Sequence, residues 1–412
     1  MTGTSFPPEL DVDEDRDRFR LRARVGLGAD LADGFSAGLR IATGESNSPV
    51  TTNQSLGLAG TTQGGNFSKY QIWLDRAFIR YEPIKDETAS VGLTIGRFDN
   101  PFFSTDLIWD DDIGFDGAAL QASYKVAPGV TPFLTVGAFP VFNTDFNFAT
   151  NSPTKFDSHD KYLYGAQVGT SWDVSQDVGV KFGVAFYDFE NIEGELSNPC
   201  IVVTAQDSCD TDATRPTFAQ KGNSYMALRS IVANAANGFG TTNQLQYFGL
   251  ATPFRELALT GRVEVKAWDP IRVALDGEYV KNLGFDEGRL EDKSVNNRDS
   301  APAGVLGDFV GGDTGYFIRL TAGDLPGNSD DWQFGNWSVS LGYKYLESDA
   351  VVDAFTDSDF GLGGTNLEGY IAGGKLAFTS GVFAEVRWLS ADSIDGPPFS
   401  VDIIQADINA RF

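Results

Sequence analysis

The residues whose types and spacing could support chemistry fall in two short segments of opposite charge. In the first segment, four arginines alternate with apolar side chains: Arg18, Arg20, Arg22 and Arg24. In the second segment, residues 99–116, six aspartates accompany one tryptophan: Asp99, Asp106, Asp110, Asp111, Asp112, Asp116 and Trp109. Charges at this density suit acid–base catalysis, metal binding, or an electric field that acts on passing solutes.

Catalysis and metal binding have little support in the sequence. His159 is the only histidine and lies in a polar segment, so a histidine-based triad or a histidine-rich metal site cannot be assembled. Three consecutive carboxylates at 110–112 cannot all face one ion, and residues 353–361 lack the spacing and closing glutamate of a calcium loop. Paired acids carry little information in a chain with 57 acidic residues. We therefore expect no enzyme activity, no cofactor and no metal.

The spacing of the arginines predicts a β-strand with one apolar face and one charged face, because successive side chains of a strand point in opposite directions. Two environments suit such a strand. In a soluble sheet the arginines face water and the apolar face packs in a core. In a transmembrane barrel the apolar face contacts lipid and the arginines line a water-filled lumen.

The same alternation recurs along the whole chain and favours the barrel. We count about fifteen alternating segments, each of about 9–11 residues, which is the length that crosses a bilayer at a tilt. One of them runs from Ile271 to Tyr279, and the last ends in Ile404, Ala406, Ile408, Ala410 and Phe412. Glycine is abundant, with 46 residues, and methionine is scarce, with 2. This composition predicts an all-β fold of many strands and turns.

The connections between these segments alternate in length. Short connections, such as residues 29–34 and 127–131, are followed by long ones, such as 45–69 and 99–116. The link at 324–336 is longer than a tight turn and fits less well. Long loops on one side and short turns on the other are typical of an outer-membrane barrel, whose turns lie in the periplasm.

Cys200 and Cys209 are the only cysteines, and they lie close together in a polar segment. In an exported protein they would form a disulfide that fastens a surface loop, whereas otherwise they would be free thiols. The net charge of −26 excludes nucleic acid as a partner, because phosphate binding needs a basic surface.

Four stretches resemble the putative-porin family of proteobacterial outer-membrane proteins. They are GRFDNPFFSTDLIWDDDIGFDG (96–117), LDRAFIRYEP (74–83), GEYVKN (277–282) and DAFTDSDFGLGGTNLEGY (353–370). The resemblance covers residues 16–412 as a single barrel. It implies a diffusion porin of sixteen strands that assembles as a homotrimer in the outer membrane of a Gram-negative bacterium. Lipid and lipopolysaccharide would surround it, and the barrel-assembly machinery would recognise the last strand through Ile408, Ala410 and Phe412.

The resemblance also implies that residues 99–116 form the third external loop, which folds inward and narrows the barrel. Its six aspartates and Trp109 would then face a basic wall, formed by Arg18, Arg20, Arg22, Arg24, Arg40 and Arg80. Such an arrangement produces a transverse field that orients dipolar solutes and tunes ion preference. The alternative is that these arginines only pair with neighbouring carboxylates as structural bridges.

Residues 1–15 depart from the family pattern. The family begins with an additional strand ahead of the arginine-rich one, whereas residues 1–15 of this chain do not alternate and lack the features of a signal peptide. A chain that ends in the periplasm after fifteen strands would also need one more strand to be even-numbered. We therefore expect that a first strand and a signal peptide are missing from this sequence.

Two other functions are compatible with the sequence. A substrate-selective channel would bind its solute on lumen aromatics such as Trp109, Phe139, Phe317 or Trp268. A soluble carbohydrate-binding protein or enzyme would explain the glycine and aromatic content, but it gives no reason for segregated loop lengths. We expect passive diffusion of small hydrophilic solutes and ions, with a weak preference for cations.

Overall fold

In the part of the chain that the structure describes, fifteen strands form one antiparallel sheet in which each strand pairs with the next one along the chain. The computed structural model describes residues 15–57, 65, 67–145, 151–152, 154–240, 245–302, 305–325 and 332–412. The strands are β1 Arg24–Asp30, β2 Phe35–Thr43, β3 Ile72–Lys85, β4 Ala89–Phe98, β5 Phe115–Tyr124, β6 Val130–Phe142, β7 Lys161–Asp173, β8 Val178–Glu190, β9 Phe254–Trp268, β10 Ile271–Asn282, β11 Thr314–Gly323, β12 Trp337–Leu346, β13 Leu367–Ala377, β14 Val382–Ser393 and β15 Ser400–Ala410.

The two faces of the sheet differ in burial as the alternation predicts. On β10, Leu275 and Tyr279 are 41% and 39% exposed, whereas the intervening Asp276 and Glu278 are only 6% and 4% exposed. Apolar side chains thus point outward and charged ones inward, the reverse of a soluble protein. The predicted all-β transmembrane barrel is confirmed.

The connections are short at one end of the sheet and long at the other. Short turns include 86–88, 174–177 and 269–270, and long loops include 44–71, 99–114, 191–253, 283–313 and 347–366. A short helix, α1 Glu287–Lys293, lies in one of the long loops, and Asp286 caps its first turn by accepting from the Arg289 N–H. Within the described ranges, none of the helices is both long and apolar enough to cross a membrane.

The arginine-rich segment is not one continuous strand, in contrast to the prediction. Its first part, Arg20–Leu21, pairs with Gln54–Ser55 of a long loop, and β1 begins only at Arg24. Between the two parts, the Thr43 hydroxyl accepts a hydrogen bond from the Ala23 N–H at 3.0 Å. The predicted N-terminal segment, residues 1–15, lies outside the described residues apart from Asp15.

Cys200 and Cys209 are joined by a disulfide, with their Cα atoms 5.8 Å apart. The bridge lies in the longest loop, residues 191–253. The same loop contains a small hairpin in which Tyr225–Ala227 pairs with Phe248–Leu250.

The main apolar core lies inside the barrel. Inward-facing rings of the strands, such as Phe139 and Phe317, belong to the same buried cluster as loop residues, such as Leu107 and Val351. Two loops therefore fill part of the interior and pack against the wall. We call residues 99–114 the first inner loop and residues 347–366 the second inner loop.

Candidate functional site

The first inner loop begins its path across the lumen at β7. The Gln167 side chain accepts a hydrogen bond from the Phe103 N–H at 2.8 Å and donates one to the Phe103 carbonyl at 2.7 Å. Gln167 is only 1% exposed, so both of its polar atoms need these partners. One side chain of the barrel wall thus fixes the backbone of the loop.

The loop then reaches β10–β12, which lie five to seven places along the sheet from β5, the strand that follows the loop. Glu278 on β10 accepts hydrogen bonds from the Thr105 N–H at 2.9 Å and the Thr105 hydroxyl at 2.7 Å. The next loop residue, Asp106, contacts two further strands. Arg319 on β11 donates to the Asp106 carboxylate at 3.2 Å, and Lys344 on β12 donates to the Asp106 carbonyl at 2.9 Å. Contacts with β7, β10, β11 and β12 show that the loop folds inward.

On its return, the loop meets the second inner loop and β1. The Asp110 carboxylate accepts from the Asp112 N–H at 2.7 Å and from the Ser358 N–H at 2.9 Å. Burial raises the pKa of Asp110 to about 8, despite these two donors. Asp112 forms an ion pair with Arg24 and a longer one, of 3.5 Å, with Arg22.

Arg76 joins the wall to both ends of the first inner loop. Its guanidinium contacts Asp75 and Asp99 at 2.7 Å each, and it donates to the carbonyls of Asp112 and Ile113 at 3.2 and 2.9 Å. The side chain is 2% exposed. Such a buried cation persists only because every donor faces an acceptor.

The structure divides the predicted basic wall into two groups. Arg24 and Arg40 bind carboxylates closely, since Arg40 lies 2.5 Å from Asp75 and 3.1 Å from Asp99. Arg20 lies 3.6 Å from Asp359, and Arg18 forms no ion pair within the described part of the chain. Arg80 instead contacts Glu82 at 3.2 Å and Gln121 at 3.0 Å, away from the loop carboxylates.

The predicted acidic residues also differ in their surroundings. Asp116 pairs with Arg97 across β4 and β5 at 2.5 Å. Asp99, Asp106 and Asp112 are paired as described above, whereas Asp111 is exposed and makes no ion pair among the residues that the structure describes. The first inner loop is therefore less uniformly available to solutes than its sequence suggests.

Trp109 is buried rather than exposed to the lumen, in contrast to the expectation. It is 3% exposed and packs edge-on against Phe115 and Tyr187, with ring centroids 5.0 and 5.3 Å apart. Phe139 and Phe317 are also buried, at 3% and 2% exposure. Trp268 is exposed, but it ends β9 next to a short turn at the far end of the barrel. These four rings do not form one binding surface.

The second inner loop supplies charged residues that the sequence interpretation missed. Asp359 lies 2.7 Å from Arg387 on β14, and Asp357 is the neighbouring carboxylate of the same loop. Arg319, Lys344 and Arg387 occupy alternating positions of predicted strands, as Arg18 to Arg24 do. The same rule could have identified them as lumen residues.

Three carboxylates of the two inner loops repel one another around the exposed side chain of Asp111: Asp106 and Asp111 of the first inner loop, and Asp357 of the second. The charge of Asp106, followed by partial desolvation beside the loops and by the charge of Asp357, raises the pKa of Asp111 to about 7. Burial raises the pKa of Asp357 as well. In the described residues, histidine, cysteine and acidic side chains form no group that could hold a metal ion. The arrangement places charges of both signs where they can act on charged solutes.

Comparisons with known proteins give one family and several structural likenesses. The family described as "Putative porin" matches residues 1–412. The outer-membrane channel DcaP of Acinetobacter baumannii is 10% identical, with a TM-score of 0.39, and the match covers 95% of this chain and 84% of that one. OprB of Pseudomonas putida is 11% identical, with a TM-score of 0.47 and coverage of 95% and 88%. OmpF of Salmonella typhi, solved with daunomycin, is 11% identical, with a TM-score of 0.39 and coverage of 99% and 93%.

A search of curated protein sequences found no match to this chain. The family match spans every residue, and the fold described above is a barrel whose charged side chains face inward. The chain therefore belongs to the putative-porin family and is an outer-membrane channel of a Gram-negative bacterium.

Proposed function

We propose that the channel is a passive pore for small hydrophilic solutes and ions, narrowed by its two inner loops. The observation that carries this proposal is the path of the first inner loop, which is held at Gln167 on one side and at Glu278 and Lys344 on the other. A loop fixed at both sides of a lumen reduces its cross-section without needing to move. The pore therefore needs no reaction and no cofactor.

The charges left in water set up the transverse field. Asp111 is exposed on the first inner loop, and its neighbours Asp106 and Asp357 add negative charge. On the wall, the Arg22 side chain is 44% exposed and that of Arg20 is 27% exposed. Both interpretations of the predicted arginines then apply, but to different residues. Arg24 and Arg40 pair closely with carboxylates and are structural. Arg18, Arg20 and Arg22 have no carboxylate partner nearer than 3.5 Å within the described residues, and they act on solutes.

Planar-bilayer recording of the detergent-refolded chain tests the pore directly. We expect stepwise current in potassium chloride and, in a salt gradient, a small reversal potential of the sign that a weak cation preference gives, because charges of both signs line the constriction. Openings in groups of three would support a trimer. A folded barrel that stays silent at every voltage would contradict the proposal.

A homotrimer is the second part of the proposal, and the outward face of β1–β3 is where we place the contact. Alanines at Ala29, Ala37 and Ala77 leave a shallow apolar groove there beside Leu27 and Ile95. Small outward residues allow another barrel to approach closely, whereas large ones favour lipid.

An Ala37→Trp variant is expected to shift the trimer toward monomer in mild detergent, because the indole fills the groove. Mass photometry measures the species, and Ala122→Trp, on the outward face of β5, is the matched control. An unchanged trimer in Ala37→Trp would place the contact elsewhere.

The expected partners of the last strand stay predictions. Ile408 is 82% exposed on β15, and Phe412 follows the strand and is fully exposed. This end is accessible to the barrel-assembly machinery, as the resemblance implies. Lipopolysaccharide would contact the outer rim, where tyrosines such as Tyr316, Tyr343 and Tyr345 cluster.

A further inference from the structure

A cavity of about 400 Å³ lies beside the first inner loop, at the ends of β5–β8 from which the long loops leave. Its floor contains Trp109 and Phe139, which are almost fully buried. The lining also includes three half-buried rings: Phe142, Phe218 and Phe355. A small cavity with a mainly apolar lining, several aromatic rings and a few polar groups is the usual form of a site for small organic molecules.

Lys161 gives this cavity a positive charge that the protein itself does not neutralise. The residue is 2% exposed, and its ammonium donates to the Thr214 and Arg215 carbonyls at 2.8 and 2.9 Å. The ammonium lies 5.5 Å from the centre of the Phe142 ring, which also lines the cavity. No carboxylate of the described residues forms an ion pair with it. Two of its three N–H groups are therefore used, and one remains for an anion.

The other charged groups of the lining already have partners. Arg97 pairs with Asp116 at 2.5 Å, and the Asp353 carboxylate accepts from the Tyr225 hydroxyl at 2.9 Å. An unpaired buried charge is costly, and an anionic ligand offsets that cost where the protein supplies no counter-ion. Lys161 is therefore the group most in need of an external partner.

We propose that this cavity binds a small aromatic carboxylate, whose ring packs among Phe142, Phe218 and Phe355 and whose carboxylate accepts a hydrogen bond from Lys161. The cavity lies at the end of the barrel from which the long loops leave, and residues of both inner loops line it. The site adds solute selection to the proposed pore, although binding itself does not require conduction.

Isothermal titration of the refolded protein with benzoate tests the proposal. Two partial probes separate the contributions: acetate carries the charge without the ring, and benzyl alcohol carries the ring without the charge. We expect benzoate to bind at least about tenfold more tightly than either, because each partial probe loses one of the two contacts. Equal affinity for benzoate and benzyl alcohol would overturn the role of Lys161.

Variants locate the site. Lys161→Met keeps the length of the side chain and removes its charge, so we expect benzoate affinity to fall by at least about tenfold. Phe218→Ala removes a loop ring without touching the barrel wall and should also weaken binding. Lys221→Met is the matched control, because Lys221 lies over the Phe399 ring at 3.6 Å, outside the cavity lining. The benzoate affinity of Lys221→Met should equal that of the parent protein.

The outcomes distinguish this site from the pore. A parent protein that conducts potassium chloride but does not bind benzoate would overturn the site and leave the pore intact. A parent that binds benzoate without conducting would overturn the pore and support the site. Unchanged benzoate affinity in both Lys161→Met and Phe218→Ala would overturn the site.

Discussion

Replacement of Arg76 by alanine is expected to lower the free energy of unfolding by about 3–5 kcal/mol, as for other buried charges that lose their partner. Asp75 is only 5% exposed, and in the variant its carboxylate would lose one of its two arginines. The carbonyls of Asp112 and Ile113 would lose a donor as well. Urea unfolding of the refolded barrel, followed by tryptophan fluorescence, measures the loss.

Arg80→Ala is the matched control on the same strand. The Arg80 side chain is 29% exposed and its ion-pair partner Glu82 is 19% exposed, so water compensates both groups when the pair is lost. We expect a loss of less than about 1 kcal/mol for this variant. Equal losses in the two variants would mean that Arg76 does not hold the first inner loop to the wall.

The same Arg76→Ala variant should change the pore. Arg76 contacts the loop near both of its ends, at Asp99 and at the carbonyls of residues 112 and 113. Without Arg76, the loop keeps its hydrogen bonds to Gln167 and Glu278. It loses the hydrogen bonds that hold its returning part at residues 112 and 113. A noisier and larger single-channel conductance is the expected result, and an unchanged current trace would show that the other anchors suffice.

The strands could be predicted from the sequence because each carries its own signal. In β10, the alternation of Leu275 and Tyr279 with Asp276 and Glu278 defines both faces without reference to any other strand. The inward path of the first inner loop came instead from the family resemblance. Its anchors could not be predicted, since Thr105 and Glu278 are 173 residues apart and no local pattern joins them.

Two errors share one physical cause. Trp109 was expected among the residues of the constriction and the lumen aromatics, yet its ring is 3% exposed and packs against Tyr187 of a distant strand. The second inner loop was recognised as a family segment but not as part of the constriction. In both cases, burial depends on which loops meet inside the barrel, and contacts between loops leave no periodic trace in the sequence.

The arginine segment shows the limit of the periodicity rule even in a strand. Its alternation predicts one continuous element, but the structure divides it between β1 and a pairing with Gln54–Ser55. A hydroxyl at Thr43 takes the place of the next ladder contact by accepting from the Ala23 N–H. Alternation therefore predicts which side chains share a face, but not which backbone they pair with.

Cation preference is expected to increase as the pH rises from about 6 to about 8. The pKa of Asp111 is raised to about 7, mainly by the charge of Asp106, so this carboxyl is neutral below that pH and negative above it. Asp112 and Asp357 add to the same negative field, Arg319 opposes it, and the buried Asp110 behind the loop titrates near 8 in the same direction. One unit charge about 6 Å from a passing ion in water attracts a cation by about 0.7 kcal/mol and repels an anion by the same amount, which together change the cation-to-anion permeability ratio about tenfold.

Reversal potentials in a potassium chloride gradient at pH 6 and pH 8 measure this change, and Asp111→Asn separates the carboxyl from its neighbours. The variant should be less cation-preferring at pH 8 and should show a smaller difference between the two pH values, because only Asp110 and more distant groups still titrate. Arg22→Gln is the opposite-sign control: the loss of a wall cation should raise cation preference at both pH values. If Asp111→Asn kept the full pH dependence, the exposed carboxylate of the first inner loop would not face the permeating ions, and the pH dependence would come from other carboxyls with a raised pKa, such as Asp110 and Asp357.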